Sequence, residues 1–242
     1  MMKKLSVVIP MYNELINAPK TAVVLSRYLE SRLGDDFEIL FSDDGSTDGC
    51  AEAVNALGLP CVRVVRYRDN RGKGSAVREG VLKSNGDVIV FTDSDLAYGE
   101  KAVYDIYRIL VKSGANAVIG SRNLRADGYE GYTVMRRLMS KLYIRVISFF
   151  AGFRYTDSQC GLKAFTAESA KTVFSSCTVN SFAFDLEVLI LADKLGMVIK
   201  EFPVKIINHA QAGSKVNPIK DALKMLRDVN RIKKLHKNFG KE

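Results

Sequence analysis

Two aspartates one residue apart, Asp93 and Asp95 in FTDSDLA, carry the most definite chemistry in this sequence. On an extended segment, side chains two apart point the same way, so these carboxylates repel each other and need a cation. A hard divalent ion, Mg2+ or Mn2+, bridging to diphosphate oxygens would satisfy them. An Asp-x-Asp loop also arises by chance, so the pair alone leaves both readings open. Two other runs end in polar groups: VVIPMYNE, with Asn13 and Glu14, and FSDDGSTDG, with Asp43 and Asp44. Carboxylates there can accept hydrogen bonds from a base or ribose but repel phosphates. DDGSTD reads equally as a turn followed by an Asp or Ser helix cap. Cations come from DNRGKGSAVREG, where Arg71 and Lys73 stand at a helix start and Gly72 and Gly74 admit close backbone approach. Neither GxxxxGK[ST] nor a GxGxxG after the first strand is present.

Short β-branched runs at 5–10, 37–42, 62–67, 88–92 and 117–120 predict the strands that position these groups. Amphipathic stretches at 16–32, 48–57, 73–84 and 100–112 predict helices between them. Strands apolar on both sides and separated by helices predict an α/β fold, with a mainly parallel central sheet and helices on both faces. In such sheets ligands bind beyond the carboxyl ends of the strands, where the acidic runs fall. After Gly120 the rhythm changes. A charged, Gly-rich loop (122–131) leads to a helix from Val134, VMRRLMSKLYIRVISFFAGF, and then to a short polar segment, DSQCGLKAF. A helix from near Phe184, a β-like pair around IKEFPVKIINH and a basic tail helix follow. The simplest partition is one domain over 1–215 and a basic amphipathic helix over 216–242.

The 242 residues are 47% hydrophobic and 26% charged, ordinary globular values that exclude a disordered chain. With 36 basic and 27 acidic residues the net charge is +9, so an anionic partner is expected. Residues 216–237 hold seven basic and two acidic residues, +5 of that total. The tail has the charge and spacing of a helix that binds anionic lipid, and equally of one packed on the domain. The helix from Val134 shows the same ambiguity. Nucleic acid is excluded as a partner, because the basic tail lacks interleaved aromatics and the acidic crevice repels a polyanion. Cys50, Cys61, Cys160 and Cys177 form no CxxC and have no His cluster beside them, which excludes zinc and disulfide frameworks and points to a reducing compartment. No stretch reaches the roughly 20 apolar residues of a membrane span. A signal peptide is not expected, so any membrane contact is peripheral.

In this order, VVIPMYNE, DDGSTDG, NRGKGSA and TDSD resemble the family 2 glycosyltransferases, with their GT-A nucleotide-diphospho-sugar transferase fold. The second half resembles the dolichyl-phosphate glucosyltransferases and their polyprenyl-phosphate mannose-transferring relatives. That likeness rests on GSRN at Gly120, RRLMS at Arg136, DSQCGLKAF at Asp157, FDLEVL at Phe184 and GSK at Gly213. It spans nearly the whole chain. It implies an inverting transfer of glucose from UDP-glucose to a polyprenyl or dolichyl phosphate, giving a β-linked product at the cytoplasmic membrane face, with GDP-mannose as the alternative donor.

Residue by residue, the resemblance implies that Pro10, Tyr12 and Glu14 line the nucleoside pocket and that Asp43 or Asp44 reads the base edge. Asp93 and Asp95 would hold the metal and diphosphate, Lys73 would join the donor site, and Lys215 would close over the phosphates. Arg122, Arg136 and Ser140 would cradle the acceptor phosphate, the last two being one helical turn apart. Gln211 departs from the arginine that the mannosyl relatives tend to carry. A phosphate monoester, with a second pKa of about 6, needs no strong general base, which suits a chain whose only histidines are His209 and His236. A saccharide acceptor would need one, and Asp157 or Asp185 could serve. If the tail is only a lipid-binding appendage, truncation after Asn217 would spare the crevice.

Overall fold

The computed structural model describes residues 4–152, 155–207 and 218–239, without the side chains of 136 and 218–225. Four β–α steps and a fifth strand open the chain: β1 (Leu5–Met11), α1 (Ala18–Leu33), β2 (Phe37–Asp43), α2 (Cys50–Asn55), β3 (Val62–Arg66), α3 (Lys73–Leu82), β4 (Val88–Phe91), α4 (Gly99–Ser113) and β5 (Ala117–Ser121). There follow α5 (Val134–Ala151), β6 (Lys163–Thr166), α6 (Ala167–Ser176), α7 (Phe184–Lys194), β7 (Ile199–Pro203) and α8 (Pro218–Leu235). Every element predicted before Gly120 is present, with ends shifted by one or two residues.

The strands form one seven-stranded sheet in the order β3-β2-β1-β4-β6-β5-β7. All pairings are parallel except those of β6, which runs antiparallel to both β4 and β5. Alternation in β1 explains the layering. Leu5, Val7, Ile9 and Met11 pack with α1, α2 and α4 on one face, and Val8 packs with α3, α6 and α7 on the other. The edge strands β3 and β7 are partly exposed and carry Arg63, Arg66, Lys200 and Glu201, which discourages edge-to-edge pairing.

Three expectations change after Gly120. The polar segment from Asp157 contains a central strand, β6, whose KAFT sequence is too short and too charged to show a strand pattern. Its Lys163 is fully buried and paired with Asp185. The β-like pair is a single strand, β7, because Val204–Ile207 leave the sheet and bond instead to Ser121, Gly128 and Ala97. The described part of the tail helix is packed: Val229 and Ile232 are fully buried against Ile147 of α5 and Leu186 and Leu189 of α7. Truncation after Asn217 would therefore open this core rather than spare the crevice. No helix among the described residues is long and apolar enough to cross a membrane.

At the amino end of the strands, away from the crevice, Glu38 of β2 ties three segments together. It accepts from Ser6 Oγ at 2.6 Å, Asn85 N at 2.7 Å and Arg63 Nε at 3.1 Å. Burial pushes its carboxyl pKa up, but the bonds from Ser6, Asn85 and Arg63 outweigh this and hold it below the usual value. A depressed carboxylate stabilises the fold above its unfolded pKa and loses that contribution as pH falls through the folded one. Glu38→Ala should cost roughly 2–3 kcal/mol at neutral pH. The gap from wild type should shrink in urea titrations below about pH 4.

Candidate active site

The loops after β1 and β2 are stitched into one wall of a crevice at the carboxyl ends of the strands. Asn13, held at φ +54°, accepts from Thr47 N at 2.9 Å, and its own N–H donates to Ser46 Oγ at 2.9 Å. Asn tolerates this left-handed conformation because its short amide can bond locally. Asp48 accepts from Leu15 N at 2.9 Å and from Cys50 N at 3.0 Å, the latter at the start of α2. The turn in the DDGSTD reading is realised at Asp43, whereas the N-cap of α2 is Gly49, with no side-chain cap bond and Asp48 one residue before it.

Asp43 and Asp44 are both buried and both engaged. Asp43 accepts from Ser46 N at 2.9 Å and lies 3.1 Å from Arg66 Nε. Asp44 accepts from Tyr67 Oη at 2.6 Å and from Arg71 N and Gly72 N at 2.8 Å, so it organises the glycine loop. Pro10 is buried at the end of β1, Tyr12 is half-exposed at the rim, and Glu14 accepts from Asn17 Nδ2 at 2.8 Å.

The opposite wall begins at Lys73, the first residue of α3. A Cβ on Gly72 or Gly74 would collide with the backbone oxygens of Asn180 or Val179, and Gly74 N donates to Asn180 O at 2.8 Å. Lys73 Nζ pairs with Asp93 Oδ1. Burial works to lower the Lys73 pKa, but the charges of Asp93, Asp185 and Asp95 raise it above its ordinary value. Asp95, whose Oδ1 accepts from Ala97 N at 3.0 Å, has its carboxyl pushed up by burial, then by the charges of Asp93 and Glu14. Asp185 is likewise pushed up by burial, although Lys163 and Lys73 oppose it.

These carboxylates converge with two lysines among them, Lys73 on Asp93 and Lys163 on Asp185, and the mutual repulsion of Asp93, Asp95 and Glu14 is of the kind that a divalent cation relieves. Among the described residues no group of three or more His, Cys, Asp or Glu side chains forms a ready-made cage. A Mg2+-type ion is commonly held by one or two carboxylates together with substrate phosphates, a donor set that Asp93 and Asp95 could share in.

Of the expected acceptor group, Arg122 follows β5, and its guanidinium grips Asp157: Nε lies 2.6 Å from Oδ2 and Nη2 2.9 Å from Oδ1. Asp157 is fully buried and Arg122 nearly so. Ser140 is half-buried on α5, one turn beyond Arg136. The side chain of Arg136, and the whole of Lys215, His209 and Gln211, lie outside the described residues. Sequence reasoning gave no role to Lys163 or Glu187. The readable signal was FDLEVL, two acids inside an otherwise apolar helix that is buried on all sides.

An open α/β sheet with acidic groups and a lysine at its switch point defines a nucleotide-sugar transferase of the GT-A type. The sequence profile of Glycosyl transferase family 2 matches residues 6–174. The chain belongs to that family and is a glycosyltransferase. It is similar to the dolichyl-phosphate beta-glucosyltransferase of Dictyostelium discoideum, with 32% identity over 95% of this chain and 73% of that protein. The protein of the same name from Homo sapiens is also 32% identical, over 94% of this chain and 74% of its own length. Its fold matches glucosyl-3-phosphoglycerate synthase from Mycobacterium tuberculosis, solved with Mn2+, UDP and phosphoglyceric acid: TM-score 0.68, 20% identity, 95% of this chain and 77% of that one.

The Arg122–Asp157 pair makes a stability prediction. Arg122→Ala leaves a buried carboxylate without its counter-charge and should cost about 3–5 kcal/mol in urea unfolding. Adding Asp157→Asn should recover part of that loss, because the stranded charge is removed.

Proposed function

We propose that this protein transfers glucose from UDP-glucose to the phosphate of a polyprenyl or dolichyl lipid, with inversion at the anomeric carbon. The carrying observation is the 32% identity to dolichyl-phosphate beta-glucosyltransferases over nearly the whole chain. In this reading Pro10, Tyr12 and Glu14 line the nucleoside pocket. Asp44, with Asp43 beside it, fixes the loop that carries Lys73 to the diphosphate. Asp93 and Asp95 would hold Mg2+ or Mn2+, which neutralises the leaving diphosphate. Lys215 would close over the phosphates. Arg122, and Arg136 with Ser140, would receive the acceptor phosphate. That phosphate is largely dianionic at neutral pH and attacks without help from a base. The surroundings of the two carboxylates favour this acceptor over a saccharide, since Arg122 holds Asp157 and Lys163 holds Asp185.

The acceptor's headgroup lies at a membrane surface, and α5 has a face suited to it. Val134, Leu138 and Phe149 are 86%, 61% and 79% exposed, with Met135 and Leu142 on the same stripe, while Ile144 and Ile147 are buried opposite. An exposed apolar stripe of this kind, with Arg145 set within it, marks an interaction surface. Beside it, α8 buries Val229 and Ile232 and leaves Arg227, Arg231 and Lys234 outward. The free state of all four cysteines supports work on the cytoplasmic side.

Radiolabel from UDP-glucose should enter an organic-extractable lipid when polyprenyl phosphate and Mn2+ are supplied, and EDTA should stop it. Label from GDP-mannose alone would replace the donor, and full activity in EDTA would remove the metal. Asp95→Asn should abolish transfer. Because a carboxyl with a raised pKa destabilises the fold at pH values above that pKa, the same change should stabilise the unliganded protein by on the order of 1 kcal/mol at pH 7.

Vesicle flotation tests the surface. Leu138→Ser with Phe149→Ser should weaken binding at every salt concentration. Arg227→Glu with Arg231→Glu should weaken it only on anionic vesicles and at low salt. Unchanged flotation by both pairs would show that neither face meets lipid.

A further inference from the structure

Glu187 has no part in the chemistry above, yet it is a fully buried carboxylate in the first turn of a helix whose residues 184–192 are all buried. An ionisable group in that position carries a large desolvation cost unless its oxygens are satisfied. They are. Glu187 accepts from Thr178 N at 3.0 Å, Thr178 Oγ1 at 2.9 Å and Val179 N at 2.8 Å, and His236 Nε2 lies 2.7 Å from its Oε1. His236 follows the last residue of α8 and is itself buried. One carboxylate therefore joins α7, the segment 178–180 and the end of the chain's last helix.

The segment it holds is the one that presses on the glycine loop. Asn180 O accepts from Gly74 N at 2.8 Å, and the Asn180 and Val179 oxygens occupy the space a Cβ on Gly72 or Gly74 would need. Arg78, one turn further along α3, donates to Cys177 O at 3.0 Å and to Asn180 Oδ1 at 2.9 Å. The first turn of α3 is thereby fixed from outside, and with it Lys73, whose ammonium sits against Asp93.

We propose that Glu187 is a positioning residue for the donor diphosphate, and that His236 completes it, so that the docked C-terminal helix is a structural part of the donor site. The proposal rests on the reading of Lys73 and Asp93 as donor-site residues. The geometry of the chain supplies the mechanism. Glu187 orders segment 178–180, that segment fixes the backbone of residues 72–74, and this sets the direction of the Lys73 side chain. Removing a clamp of this kind leaves Lys73 present but unaligned, which weakens donor binding without touching the acceptor.

Glu187→Gln keeps the side chain's size but turns one acceptor into an NH2 group facing N–H donors. His236→Phe removes the ring nitrogen, and Thr178→Val removes a single bond should the buried changes prevent folding. Val229→Ala serves as the comparison, since it trims one buried side chain of α8 while leaving the helix docked and Glu187, His236 and segment 178–180 in place. Calorimetry with UDP and Mn2+ should show affinity reduced roughly ten- to a hundredfold in the Glu187 and His236 variants. Val229→Ala should bind as wild type does. The donor KM should rise in the clamp variants, with kcat at saturating donor nearly preserved. Hydrogen exchange at the Gly74 amide should speed up in the clamp variants and stay slow in Val229→Ala. Wild-type UDP affinity with an unchanged Gly74 amide in Glu187→Gln and Thr178→Val would overturn the proposal. A wild type that binds no UDP would overturn the donor-site reading instead, and the Gly74 amide would still decide whether the clamp exists.

Discussion

Carboxylate crowding is the constraint around which this molecule is arranged. Glu14, Asp93, Asp95 and Asp185 come from three separate segments and meet at the carboxyl end of the sheet, where burial and then the charges of Asp93 and Glu14 push the Asp95 carboxyl up. Like charges at a few ångströms in a partly desolvated crevice cost several kcal/mol if left uncompensated. Two lysines carry the compensation: Lys73 from the start of α3 and Lys163 from the middle of β6. Much of the surrounding architecture holds these two ammonium groups. Asp44 fixes the loop ahead of Lys73, segment 178–180 presses on it from the other side, and burial in a central strand fixes Lys163. The charge that remains around Asp95 is the charge a metal–diphosphate unit would need.

The segment DSQCG acts as the joint between the two halves of this arrangement. Asp157 is gripped by Arg122, Cys160 O accepts from Lys163 Nζ at 2.6 Å, and Gly161 lies so close to Asp93 that a Cβ there would collide with its carboxylate. Cys160 itself packs beneath Gly120, and burial followed by the charge of Asp157 pushes its thiol up to about 11, so it behaves as a small apolar filler rather than a nucleophile. The specificity of this motif is therefore steric and electrostatic at once. Small residues admit the close approach, and charged ones fix its direction.

The two amphipathic helices divide a different task. Both α5 and α8 bury their inner faces in the same cluster around α7, and their outer faces differ in kind, apolar on α5 and basic on α8. In the proposed contact with an anionic bilayer, the apolar side chains of one helix would be buried while the basic residues of the other are drawn to headgroups. Because the inner face of α8 is core, its basic residues are displayed by a rigid helix rather than by a free tail.

How much of this was readable depended on the range of the interactions. Local patterns determined β1 to β5 and the helices between them, because burial on both faces of a parallel strand leaves an apolar run that needs no partner to be recognised. The same runs placed Asp93, Asp95, Asp43 and Asp44 at strand ends, and the motifs identified the family. Tertiary structure decided the rest. β6 is four residues long and contains a buried lysine, so only its neighbours β4 and β5 and the partner Asp185 make it a strand. Arg122 stands in sequence as a phosphate ligand, but its two-point pairing with Asp157, 35 positions away, exists only in the fold. Glu187 and His236 are 49 positions apart, and neither shows any local sign of the other. A sequence records periodicity and composition, whereas the pairing of buried charges is set by which distant segments the packed core brings within hydrogen-bond reach.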